Sequence, residues 1–94
     1  MRIVVAAAAL AASMSFAPAA FAQNASQTLS QLFDDERAFT WREDPLSATS
    51  DGVHDYDNRL PSVTPADYAR RNAQDQQFLT RLRAVDRAAL SHQE

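Results

Sequence analysis

His54, Asp55 and Asp57 fall together in the segment VHDYDN, the one place in the sequence where an imidazole stands beside two carboxylates. An imidazole and two carboxylates are ligand types that zinc takes. Their spacing matches no established zinc pattern, however, and Asp and Asn in loops ordinarily bond to nearby backbone groups. The reading favoured here is a hydrogen-bonded corner that docks on the rest of the protein, with Tyr56 and Leu60 as apolar pegs. A second acidic group, Asp34, Asp35 and Glu36, invites a cation. Successive residues on a helix point in different directions, and acids near a helix start suit its macrodipole, so a solvated face is expected instead. His92 is the only other imidazole, and there is no Cys. With no nucleophile beside a base and no spaced ligand set, no residue is assigned to catalysis, cofactor binding or a metal.

These residues sit in a polar crossing, Pro45 to Pro61, between two expected helices. The first covers about 26–43, where Leu29, Leu32, Phe33 and Phe39 make an apolar stripe with Ala38 and Trp41 at its margin. Thr28 with Gln31 is a capping box, with Ser26 or Asn24 as alternative caps. Pro45 pushes Asp44 out of helical geometry and stops the helix by Glu43 or Asp44. The crossing is expected to be irregular. It holds the only Gly, Gly52, which after Asp51 reads as a turn needing an unusual backbone angle.

The second helix is expected over about 65–89. Thr64 is its N-cap, Pro65 its first residue and Asp67 an acid at the positive end of the dipole, while Val63 and Tyr68 stand at staple positions. Phe78, Leu82, Val85 and Ala89, with Leu79 beside them, form its apolar face, and most of the Arg residues lie on other faces. Ser91 and Glu94 have capping-box spacing after Leu90. That pattern announces a third helix and suggests a truncated chain; a polar tail is the alternative.

The N-terminus reads as export machinery. Arg2 precedes an apolar run from Ile3 to Ala12, and Pro18 leads to a small-residue site at Ala20-Phe21-Ala22. Residues 1–22 are therefore a signal peptide cleaved before Gln23, because the run is shorter than the roughly 20 residues a membrane span needs. A periplasmic or secreted location follows, with no membrane attachment after cleavage. The mature chain has about 70 residues, a size at which one core rarely supplies more than about 3–5 kcal/mol without staples. Without Cys and with two His in all, it needs a partner surface. The net charge of −3, with every base an Arg, offers no basic stripe for nucleic acid.

The run from Asp44 to Arg71, followed by LTRLRAVDRAALS, resembles the N-terminal region of the bacterial domain-of-unknown-function 885 proteins. The resemblance rests on Pro45, Ala48, Thr49, Gly52, Tyr56, Arg59, Leu60, Pro61, Arg70, Arg71, Asp86, Leu90 and Ser91, in order. These motifs are individually short, and they span essentially the whole mature chain. The resemblance implies a largely helical, zinc-peptidase-like protein of several hundred residues, often exported, whose His-Glu-x-x-Pro-Gly-His motif lies far downstream. In such a site two His hold zinc and the Glu acts as base toward a metal-activated water. None of that motif is present here, and His92-Gln93-Glu94 lacks its spacing.

The sequence thus supports an all-α chain: a signal peptide, then residues 23–94 as the N-terminal helical segment of an incomplete domain. The partner it needs is the remainder of its own parent domain or a second copy of itself. Zinc is implied only for the full-length parent. A reading from another class is a small exported helical hairpin that buries Phe33, Phe78, Leu82 and Val85 in a homodimer or another protein.

Overall fold

The computed structural model describes residues 17–94, and the charged start and apolar run of the expected leader lie outside them. The described chain is all-α: α1 (Ala17–Glu43), α2 (Pro45–Ser50), α3 (Pro65–Ala84) and a 3-10 turn (Arg87–Ala89).

Helix α1 starts earlier than its stripe predicts. It passes unbroken through Ala20-Phe21-Ala22, since Ala and Gln are good helix formers and no Gly interrupts them. Thr28 is consequently an interior residue, not a cap: its hydroxyl donates to the Asn24 carbonyl at 2.8 Å. Gln31 does not reach back as a capping box requires, but donates forward to Asp35 at 2.9 Å. Of the expected stripe, Leu29 and Leu32 are buried beside Ala25, Phe39 is half-buried and Phe33 is exposed.

The crossing is not wholly irregular. Asp44 alone leaves helical geometry, and α2 begins at once with Pro45 as its first residue. The Asp44 carboxylate caps it, accepting from the Ser47 amide at 3.2 Å and the Ser47 hydroxyl at 2.6 Å. Proline ends one helix and starts the next for a single reason: its ring constrains the residue before it, while its missing N–H is harmless at a first helical position. The far end of α2 is a Schellman motif. The Val53 amide donates to the Ala48 carbonyl at 2.8 Å and the Gly52 amide to Thr49 at 3.0 Å. Gly52 adopts the required left-handed angle, φ 85°. Pro45 and Ala48 are both buried, so α2 plugs the lower end of α1.

Helix α3 starts where the sequence places it. The Thr64 hydroxyl accepts from the Asp67 amide at 3.2 Å, and the Asp67 carboxylate accepts from the Thr64 amide at 3.1 Å, completing a capping box. Val63 and Tyr68, expected as a hydrophobic staple, are 64% and 58% exposed. The helix ends at Ala84, five residues short of expectation (89 − 84), as Val85 turns extended. Asp86 then caps the 3-10 turn, its carboxylate accepting from the Ala88 amide at 3.1 Å. This bend lets Val85, Ala89 and Leu90 become half-buried, a position a straight helix would not give them.

Helices α1 and α3 run antiparallel, as successive cross-contacts show. Glu43 meets Arg70, the Phe39 and Phe78 rings meet edge to face at 5.7 Å, and Asp35 meets Arg81 at 2.7 Å. Ser26 closes the far end by donating to the Glu94 carboxylate at 2.7 Å.

Candidate functional site

Glu43 is the residue around which the polar contacts converge. An acid in the last turn of a helix opposes the macrodipole, so it needs cations from elsewhere. Two adjacent Arg on the second turn of α3 supply them. The Arg70 guanidinium grips both Glu43 oxygens at 2.7 Å each, a bidentate fork, and Arg71 Nε donates to Glu43 Oε2 at 2.9 Å. Arg71 also donates to the Ser62 carbonyl, tying in the segment before the Thr64 cap. Asp67 accepts from the Ser62 and Thr64 hydroxyls and touches Arg70 at 3.3 Å.

This clasp is inert as acid–base machinery. Hydrogen bonds from Arg70, with help from Arg71, hold the Glu43 carboxyl at about 2, well below its ordinary 4.5. Asp67 is likewise lowered, chiefly by the Ser62 hydroxyl and then by Thr64. Glu43 raises Arg70. Groups held so firmly in their charged forms bind structure together and do not exchange protons near neutral pH. A clasp of this kind was legible only in part. The resemblance picks out Arg70 and Arg71, whereas the residue pattern marks Glu43 only as a helix end; its unfavourable place on the dipole is the available signal.

The corner predicted around His54 forms, with Asp57 at its centre. His54 Nδ1 lies 2.8 Å from Asp57 Oδ2, and the Thr49 hydroxyl donates to Asp57 Oδ1 at 2.6 Å. The carboxyl is lowered by the Thr49 contact first and by His54 second. A hydroxyl, a carboxylate and an imidazole in that order do not make a nucleophile. The hydroxyl faces the Asp57 carboxylate and the Pro45 carbonyl, whereas activation requires its proton to face the imidazole. Asp55 stands exposed nearby, and the His54 side chain is 68% exposed. Tyr56 is half-buried with the Arg59 guanidinium 5.8 Å from its ring, while Leu60, expected as a second peg, is 77% exposed.

The acids of α1 likewise separate. Asp35 turns to Arg81 and Gln31, and Glu36 accepts from the Thr40 hydroxyl at 2.9 Å. Zinc takes three or four protein ligands, and among the described residues no three His, Asp or Glu side chains converge on one point. Trp41, placed by sequence at the margin of the stripe, donates its indole N–H to Asp51 at 2.9 Å and fastens α1 to the turn after α2.

One of the surface grooves is largely apolar. A groove of about 430 Å³ runs between α1 and the C-terminal segment, lined by Leu29, Phe33, Leu82, Val85 and Leu90, with Arg87 and Glu94 at its rim. No helix among the described residues is long and apolar enough to cross a membrane.

Comparisons with protein-family models, curated proteins and solved structures returned no match.

Proposed function

We propose that this chain is the N-terminal segment of an exported protein of the domain-of-unknown-function 885 type, zinc-peptidase-like as a whole. Residues 23–94 carry no catalytic group in this reading and act as a scaffold packed against the rest of the parent domain. The supporting observation is that six of the residues carrying the resemblance occupy structural posts. Pro45 and Ala48 are buried under α1, Gly52 closes α2, Arg70 and Arg71 form the clasp, and Asp86 caps the last turn. Leu60, Val63 and Tyr68 meanwhile stand exposed in one short stretch, apolar area suited to cover by further protein.

The test is to isolate the exported product of the natural gene and measure its mass and both termini. The expected product begins at Gln23, is several hundred residues long, and carries a His-Glu-x-x-Pro-Gly-His motif beyond Glu94. A mature product ending at Glu94 overturns this reading. It would leave the small exported interaction module, which the open groove between Phe33 and Leu82 also suits.

A further inference from the structure

We propose that Gln23 is a modification site: once exposed as the N-terminal residue, it cyclises to pyroglutamate. This inference rests on cleavage after Ala22, as in the reading above. In the precursor, Gln23 lies inside α1 and is exposed. Cleavage removes the turn that precedes it and leaves its amide without a helical partner. Order resumes one residue later. The Asn24 carbonyl is held by the Thr28 hydroxyl, Ala25 is buried, and Ser26 is fixed to Glu94. Gln23 stands ahead of these side-chain anchors, free to fold its side chain back on its own amine.

The reaction balances without a co-reactant. The neutral α-amine nitrogen attacks the side-chain amide carbon Cδ, an N–Cδ bond forms, the Cδ–Nε2 bond breaks, and ammonia leaves with the proton the amine gives up. Nothing is oxidised or reduced. An α-amino group has an ordinary pKa of about 7.7–8.0, so a substantial neutral fraction is present near pH 7–8. The helix favours the product. An ammonium at the N-terminus of α1 would oppose its dipole, and neither Gln23, Asn24, Ala25 nor Ser26 is an acid that could offset it. The lactam is neutral and removes the conflict.

The experiment isolates the exported protein, incubates it in neutral phosphate buffer, and follows its N-terminal peptide by mass spectrometry and amine-reactive labelling. The expected result is a peptide starting at residue 23, about 17 Da lighter than the linear form, with loss of N-terminal labelling. The Gln23→Ala protein should keep full labelling and full mass under the same conditions. A peptide that starts at Gln23 but retains its amine and its mass overturns the proposal and leaves the export reading intact. A product that starts at any other residue overturns both.

Discussion

At the scale of single residues, Glu43 has the greatest energetic leverage, because three hydrogen bonds from two arginines of α3 converge on its two oxygens. Its side chain is 17% exposed and Arg71 19%, so the contact is sheltered where most surface ion pairs are not. The sign of its pH dependence follows from the lowered carboxyl. The folded protein holds Glu43 ionised down to about 2, whereas an unfolded chain gains a proton near 4.5. The stabilisation is therefore complete above about pH 4.5 and is lost as pH falls through about 2. Glu43→Gln keeps the shape and removes the charge. In urea titrations of the full natural protein at pH 6, the variant should be less stable by about 1–3 kcal/mol. That gap should narrow steadily between pH 4.5 and pH 2 as the native carboxyl also becomes neutral. A gap that stays constant across this range would show that Glu43 acts through packing and not through its charge. The His54 and Asp57 pair lacks this leverage, with side chains 68% and 46% exposed to screening water.

At the scale of elements, the ends of helices decide the fold more than their interiors. Gly52 is the sharpest case. Its φ of 85° is left-handed, and a Cβ built there meets nothing within 4 Å. Gly52→Ala should therefore cost only the backbone penalty, about 1–2 kcal/mol, with no added steric term. Loss of more than about 4 kcal/mol in the urea midpoint free energy would mean that the residue is packed, contrary to the open space around it. The turn at Gly52 and the start of α3 at Thr64 were legible because each depends on local chemistry: one backbone angle, and one hydroxyl facing one amide. Helix α2 was missed for an equally local reason, since Pro45 was read only as the end of a helix, though Asp44 and Ser47 supply the cap of a new one. The start of α1 and the end of α3 escaped because no residue marks them strongly. The Ala-rich segment lets α1 run on, and Val85 leaves the helix in an extended conformation without a Gly stop. In the clasp, Arg70 and Arg71 could be singled out from sequence, but their convergence on Glu43 depends on α1 and α3 lying antiparallel. Pairing across the hairpin is a tertiary fact that periodicity alone does not specify.

At the scale of the whole molecule, the balance of buried and exposed side chains argues that these helices need something to lean on. Among the described residues the buried ones are Ala25, Leu29, Leu32, Ala48 and Pro45, whereas Phe33, Leu46, Leu60, Val63, Tyr68 and Leu82 remain exposed. Burying one Leu contributes about 1.5–3 kcal/mol, while ordering the backbone of each residue costs about 1–2 kcal/mol. Two fully buried leucines, with Phe39, Phe78, Val85 and Leu90 only half-buried, make a small core for the backbone that must be ordered, and the exposed ion pairs add little. Purified residues 23–94 should accordingly show weak helicity by far-UV circular dichroism. Their thermal melt should be shallow and unchanged over a wide range of protein concentration. A cooperative melt that shifts upward with concentration would place a second copy of the chain over the open groove between Phe33 and Leu82. The apolar faces would then be satisfied by self-association, and the small interaction module would displace the scaffold reading.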